Sequence, residues 1–169
     1  MMLGLLRKIR RAEGGVATVE FGIWVTTFFL VIMGVLDFAS FYMERSQVNE
    51  ALSAAATKSF ADRENVDFGA LPVYVRNFAE MPTLSVSASC NGVAGSCTNL
   101  NRTCACLKTD GTYSAGTCGS TCSGSGMTSG STAGYYVTLS ADHRFSPILL
   151  PGGLLKGTST GQSVTVRVQ

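Results

Sequence analysis

The six cysteines are the residues of this 169-residue chain whose types and spacing most clearly allow chemistry. All of them fall in residues 90–134, a stretch rich in Gly, Ser and Thr, at Cys90, Cys97, Cys104, Cys106, Cys118 and Cys122. Zinc modules and dithiol redox centres both use C-x-x-C spacing, which does not occur here. Because such a composition buries little apolar surface, cross-links are the natural way to order it. We therefore predict three disulfides and no metal or cofactor; a metal site that includes His143 is the alternative.

The pairing of these cysteines cannot be read from their spacing. Six cysteines allow 15 connectivities, and only a strained link between Cys104 and Cys106 is ruled out by geometry. Twelve of the 15 pairings therefore remain open after that exclusion.

A second pattern, GTSTG at residues 157–161, matches the G-x-S-x-G motif of serine hydrolases. That motif needs a strand before the serine, a helix after it and a histidine later in the chain. Here a strand is predicted to follow, and the single histidine, His143, comes earlier. Asp142 and His143 form no catalytic pair, because neighbours on a strand point to opposite faces. We interpret Ser159 as a hairpin-turn residue and His143 as a surface residue, and we expect no enzyme and no catalytic residue.

Glu20 is the third candidate, because it is a carboxylate at the start of an apolar run. Residues 21–36 are uncharged, with Glu20 before them and Asp37 after them. At about 1.5 Å per residue the run covers roughly 24 Å, and residues 16–19 supply the turn that a ~30 Å hydrocarbon core still needs. A carboxylate about one turn inside the membrane boundary is costly unless it meets a cation. The simpler alternative is that Glu20 snorkels to the headgroups.

The charge distribution predicts the orientation of this membrane span. Residues 1–15 hold Arg7, Lys8, Arg10 and Arg11 against Glu13, whereas nine bases and ten acids are scattered over the rest of the chain. A basic N-terminal flank predicts a cytoplasmic N-terminus and an extracytoplasmic C-terminal domain, where disulfides persist. A buried core helix and a cleaved secretory signal are the alternatives. Without a basic cluster after residue 15, we expect no nucleic-acid partner.

The leader RKIRRAEGG followed by VATVEF resembles the processing site of type IV pilin-like proteins. In that family a prepilin peptidase cuts after the glycine, and the mature helix keeps a glutamate at its fifth position. The resemblance implies cleavage between Gly15 and Val16. It also implies that Glu20, followed by Phe21, meets the N-terminal amine of a neighbouring subunit and fixes the axial register. A glycine also leaves the backbone bare for a protease groove.

Two stretches are similar to TadE-like proteins, the minor pseudopilins of tight-adherence (Tad or Flp) pili. They are the VEF opening and LDFASFYMERSQVNEALSAAATKSFA, residues 36–61, with Lys58 near where an arginine is common. The resemblance implies a bacterial inner-membrane protein that primes or caps a pilus. The implied partners are other pilins and pseudopilins, the prepilin peptidase, the inner-membrane pilus platform and membrane lipid. The alternative is a membrane-tethered or secreted disulfide-rich binding module, or adhesin, that never enters a filament.

Helical periodicity predicts that the helix continues beyond the membrane. Phe41, Val48, Leu52 and Ala55 share one stripe at about 100° per residue. The stripe is expected to pack on a globular domain, although a partner helix is the alternative. Residues 62–65 should end this helix, and residues 71–79 predict a short second one.

Strand periodicity completes an α+β architecture. Residues 83–90, 135–145 and 162–169 alternate between apolar and polar, which predicts a three-stranded antiparallel sheet against the helix. We therefore expect a leader at residues 1–15 and a transmembrane and amphipathic helix at 16–61. A pilin-like domain at 62–169 follows, with its disulfide-rich insertion at 90–134. The apolar connection at 147–155 either folds back on the sheet or contacts a partner.

Overall fold

A computed structural model describes residues 13–149 and 157–169. Its dominant element is helix α1 (Glu13–Ala61), with 49 residues, a length of roughly 74 Å at about 1.5 Å per residue. No side chain from residue 15 to residue 36 is buried, so the domain does not cover this half of α1. The second half packs on the domain along the predicted stripe, where Val48, Leu52 and Ala55 are fully buried. The helix is therefore both the candidate span and part of the core.

A short helix, α2 (Leu71–Phe78), follows the loop after α1. Pro72 lies in its first turn. Backbone N–H groups in the first turn have no acceptor within the helix, so the lack of an N–H on proline costs no hydrogen bond. Leu71 and Val75 point into the core beside α1. The second helix predicted from the sequence is confirmed, with its end one residue earlier.

The main sheet is antiparallel and contains strands β1 (Ser85–Cys90), β2 (Val93–Ala94), β5 (Tyr136–Asp142) and β6 (Gln162–Arg167). The order is β2-β1-β5-β6, with Leu139 opposite both Ala88 and Val164. The predicted α+β fold with its antiparallel sheet is confirmed. The predicted number of three strands is corrected to four, because a tight hairpin turns β1 back into a two-residue edge strand, β2.

The turn between β1 and β2 is an Asn-Gly pair with positive φ at both residues, 48° at Asn91 and 79° at Gly92. Asn-Gly is the preferred pair for such two-residue hairpins, so the sequence did contain the signal for β2. A Cβ on Gly92 would also lie 2.7 Å from a ring carbon of Tyr113. Both the backbone conformation and the close aromatic ring therefore require glycine at this position.

The core lies between the two helices and one face of the sheet. Alternate residues of β5, namely Val137, Leu139 and Ala141, are buried. Leu139 and Ala141 meet α1 and α2 in one apolar cluster, whereas Val137 belongs to a second cluster with Cys90 and Tyr135. The opposite face of the sheet carries Ser and Thr, as expected for an antiparallel sheet that is covered on one side.

The cysteine-rich insertion has its own small sheet, which the sequence patterns did not predict. Strands β3 (Ala105–Leu107) and β4 (Tyr113–Ala115) pair as a hairpin. Single bridges then tie the following segment to this unit, at Ala105 with Gly134, Lys108 with Met127 and Thr121 with Thr132. The insertion is therefore an ordered part of the domain, cross-linked by disulfides, and not an irregular loop.

Candidate assembly site and membrane-proximal surface

The predicted cleavage residues, Gly15 and Val16, lie in the first turns of α1 and are exposed. A Cβ added to Gly15 would meet no atom within 4 Å. Glycine inside a helix costs roughly 1 kcal/mol relative to alanine, and packing within the described residues gives no reason for it here. Residues 1–12, the rest of the predicted leader, lie outside the described residues.

The predicted registry residues, Glu20 and Phe21, also lie on the open surface of α1. The one ion pair found among residues 13–149 and 157–169 joins His143 to Glu44, so Glu20 meets no cation in that part of the chain. Val16 and Glu20 are four residues apart and therefore share one face of the helix. The carboxylate is placed where a cation of a second molecule can reach it.

The apolar surface around these residues is long enough and apolar enough to cross a membrane, which makes α1 a candidate membrane span. None of its most apolar window is buried, which argues against a soluble core helix. The small-residue stretch that a signal peptidase could cut, residues 51–56, holds Ala51, Leu52 and Ala55 of the core. Removal of a secretory signal there would take away core side chains, so the structure favours an uninterrupted helix.

Asp37, the first charged residue after the apolar run, is the polar contact between the span and the domain. Its side chain is 1% exposed. The Ile148 N–H donates to one carboxylate oxygen at 3.0 Å, and the Leu149 N–H donates to the two oxygens at 3.1 and 3.2 Å. Ile148 and Leu149 of the β5–β6 connection are thus held against α1. Residues 150–156 of the predicted apolar connection lie outside the described residues.

Two further contacts along α1 hold the same connection. The ring of Phe41 packs edge-on against the buried Phe145, with centroids 5.4 Å apart. One turn further along, Glu44 Oε2 lies 3.7 Å from His143 Nε2, within ion-pair range but too far for a hydrogen bond. His143 is half-buried against α1 and is therefore not the surface residue that the sequence indicated. Its partner is 99 positions away in the chain, so no local pattern could have predicted the contact.

The six cysteines form three disulfides, as predicted, and the structure decides their pairing. Cys90 pairs with Cys97, Cys104 with Cys118 and Cys106 with Cys122, with Cα atoms 5.0, 5.0 and 5.8 Å apart. The first closes a short loop against the main core, where Cys90 touches the cluster of Tyr135 and Val137. The other two tie β3 to the segment that follows β4 and form a cluster with Ala133.

The loop after Cys97 docks the insertion on the end of α1. Asn99 accepts a hydrogen bond from the Val66 N–H through Oδ1 and donates to the Val66 carbonyl through Nδ2, both at 3.0 Å. Arg102 donates to Asn99 Oδ1 at 2.7 Å, and its guanidinium lies over the Tyr135 ring, 5.2 Å from the centroid. The Thr98 N–H donates to the Tyr135 hydroxyl at 2.9 Å. This polar contact fixes the insertion at the end of α1 farthest from the apolar half.

The remaining polar motifs form turns. Ser159 donates to the Asp142 carboxylate and accepts the Gly161 N–H at 3.0 Å, in the turn that leads into β6. In the β3–β4 hairpin, hydrogen bonds from the hydroxyl and the backbone N–H of Thr112 lower the pKa of Asp110. Among the described residues, no group of three or more His, Cys, Asp or Glu side chains is placed to bind a metal ion.

We expect the two disulfides of the insertion to stabilise it locally. Replacing Cys104 and Cys118 together by alanine should raise amide hydrogen exchange across residues 104–133, because a cross-link typically contributes about 2–4 kcal/mol by restricting the unfolded chain. Residues 137–141 should keep their protection, since their buried side chains belong to the two clusters of the main sheet and not to the cluster of the insertion. Hydrogen exchange followed by mass spectrometry on the oxidised full-length protein measures the protection of both segments.

The matched control replaces Cys90 and Cys97, whose loss should also expose amides of β1 and β5. Equal loss of protection throughout the domain in both variants would contradict two separately stabilised units. Six free thiols in the denatured, unreduced protein, or zinc released in a stoichiometric amount, would overturn the disulfide assignment.

Fold and site together define a class: a small disulfide-stapled α+β domain carried on one long helix, whose free half is a candidate membrane span. The family model described as TadE-like protein matches residues 15–57. The predicted resemblance is confirmed for this segment, and the match points to a protein associated with the Tad pilus. The match stops within α1, so the sheet and the disulfides lie outside it. Comparisons with curated proteins and with solved structures gave no match.

Proposed function

We propose that this protein is a minor pseudopilin that primes or caps a Tad pilus. The observation that carries the proposal is the family match, which begins at Gly15 and includes both Glu20 and Asp37. These residues are the proposed cleavage site, the registry carboxylate and the polar contact between span and domain. A family that shares this segment shares the helix through which pilin-like subunits insert and assemble.

The exposure of α1 supports an assembly role. Phe21, Trp24 and Phe28 project from the apolar half with most of their surface uncovered. Such a surface contacts lipid while the subunit is in the membrane, and it contacts neighbouring helices once the subunit enters a fibre. The charged amine of a mature Val16 and the carboxylate of Glu20 are then complementary groups between subunits, in surroundings where an unpaired charge is costly.

The domain leaves the apolar half of α1 free for contacts with other helices. It covers one side of α1 from Asp37 to Ser59, both of which are buried, whereas no side chain from residue 15 to residue 36 is buried. Priming or capping is the task that the resemblance to TadE-like proteins implies, and the proposal adopts it on that ground.

The proposal includes a location and a set of partners. The basic leader and the disulfides support a location with the N-terminus in the bacterial cytoplasm and the domain outside the inner membrane. The partners are other pilins and pseudopilins, a prepilin peptidase, the inner-membrane platform and membrane lipid. The role is structural and involves no catalysis, no cofactor and no nucleic acid.

A membrane-tethered adhesin that stays out of filaments is the second candidate. It is favoured by the ordered insertion, which exposes Val93 and Leu100 at the end of the domain away from the span. Isolation of sheared pili distinguishes the two candidates. A pseudopilin is recovered with the fibres in small amounts, whereas a tethered adhesin remains with the membrane fraction.

We predict that the mature chain begins at Val16. A prepilin peptidase that cuts after Gly15 leaves Glu20 at the fifth position of the helix. Intact-mass and N-terminal analysis of protein from its native host measures this directly. A start within residues 51–56 would indicate a secretory signal instead, and an intact Met1 would indicate an uncleaved anchor.

A further inference from the structure

Ile148 and Leu149 of the β5–β6 connection, called the tip below, lie at the outer end of the apolar half of α1. Residues 16–36 cover about 30 Å of helix, the thickness of a hydrocarbon core, so Asp37 falls at the far boundary of a membrane that α1 crosses. The amides of Ile148 and Leu149 lie 3.0–3.2 Å from the Asp37 carboxylate oxygens. These hydrogen bonds place the tip at the same depth as Asp37.

The side chains at this tip are apolar and uncovered. Ile148 is 80% exposed and Leu149 is 42% exposed. On α1, Phe38 directly follows Asp37 and is exposed as well. The tip and the helix thus continue the apolar surface of the span onto the domain.

We propose that Ile148 and Leu149 insert into the outer leaflet of the bilayer that α1 spans. The inference rests on the proposed membrane-anchored state of the protein and adds a second, shallow contact of the domain with lipid. Continuity with the apolar surface of the span identifies the occupant as lipid rather than a protein partner.

Asp37 makes this insertion physically acceptable. Backbone N–H groups that enter a membrane must be satisfied within the protein, since lipid offers no partner. The carboxylate accepts from both amides of the tip, and the two amides in turn satisfy a charge that would be costly unpaired at the boundary. The hydrogen bonds to Asp37 therefore offset the desolvation cost of the two backbone amides and that of the carboxylate itself.

The base of the connection is rigid enough to hold the tip in place. The Phe145 N–H donates to the Thr158 carbonyl, and the Gly157 N–H donates to the Phe145 carbonyl, both at 3.0 Å. The Phe145 ring is buried against Phe41 of α1. Arg45 and Arg144, which are exposed on the domain side of the tip, are suited to the phosphates of anionic lipid headgroups.

Depth-dependent fluorescence quenching tests the proposal on the full-length protein in vesicles of anionic phospholipid. The single tryptophan, Trp24, is first replaced by phenylalanine, and Ile148→Trp is added as the reporter. The tryptophan at position 148 should lose most of its fluorescence in lipids brominated near the carboxyl end of the acyl chain. It should lose much less in lipids brominated near the methyl end, because interfacial insertion reaches only about 5–10 Å into the headgroup and acyl boundary.

The matched control is Leu100→Trp in the same background, at a side chain that is 79% exposed. Its neighbour Asn99 binds Val66, beyond the end of α1, and Ala61 lies roughly 36 Å along the helix from Asp37. This reporter should not be quenched by either lipid. Adding Asp37→Ala to the Ile148→Trp protein should reduce quenching at position 148, because the tip loses its hydrogen-bond acceptor.

Failure of the insertion and failure of the span give different results. In the unaltered protein, Trp24 should be quenched by bromine near the middle of the bilayer. If Trp24 is quenched and the reporter at position 148 is not, the insertion proposal is overturned while the span stands. If Trp24 is not quenched, the span is wrong and the proposal falls with it. If the tryptophan at position 148 becomes protected from solvent only as the protein concentration rises, the tip contacts another copy of the protein, and lipid insertion is overturned.

Discussion

Full-length protein with Glu20→Ala should be processed like the wild type but recovered with pili at a level at least about tenfold lower, the effect of losing about 1.4 kcal/mol of assembly free energy. The expected loss rests on the proposed pairing of this carboxylate with the amine of Val16 in a neighbouring subunit. A pair at the membrane boundary rather than in water should contribute more than the 0–1 kcal/mol typical of surface ion pairs. Quantitative immunoblotting of sheared pili and of the membrane fraction measures the ratio of assembled to membrane-bound protein.

Two variants of α1 serve as controls for this result. Gly15→Leu should block processing and leave the precursor in the membrane; since a Cβ at Gly15 meets nothing within 4 Å, the defect would lie with the peptidase and not with folding. Glu50→Ala, which removes an exposed carboxylate further along the same helix, should leave both processing and recovery unchanged. Normal piliation by the Glu20→Ala protein would mean that this carboxylate only snorkels to the headgroups.

Leu52→Ala should lower the free energy of unfolding of the domain by about 2–5 kcal/mol, the usual cost of emptying a core leucine site. Leu52 is fully buried in the cluster that α1 forms with α2, β1 and β5, so its loss leaves a cavity where the helix meets the sheet. Denaturant unfolding of the oxidised full-length protein in detergent micelles, followed by near-ultraviolet circular dichroism, gives the difference. A large effect would show that α1 is an integral part of the domain.

The matched control for this prediction is the adjacent residue, on the exposed side of the same helix. Ser53→Ala removes only a hydroxyl that donates to the Asn49 carbonyl at 2.9 Å, so it should change the unfolding free energy by no more than about 0.5 kcal/mol. Equal effects of the two substitutions would mean that the stripe on α1 does not anchor the domain.

The sequence by itself determined the features that repeat locally along the chain. The uncharged run at residues 21–36, the stripe through Val48 and Leu52, and the alternation in β5 each follow from neighbouring residues that share one face. These periods predicted the long helix, the second helix, the main strands and the α+β class. The Asn91-Gly92 turn was equally local, and β2 could have been predicted from it.

Only the tertiary structure decided which distant residues meet. It selected one cysteine pairing among those that the spacing allows, and it joined Asp37 to Ile148 across 111 positions. It also shows that His143 lies in a half-buried site beside Glu44 and not on the open surface that the sequence indicated. Periodicity specifies which face of an element is buried, but not which element covers it. That choice depends on how the packed helices and sheet bring the ends of long connections together, and no short stretch of sequence contains that information.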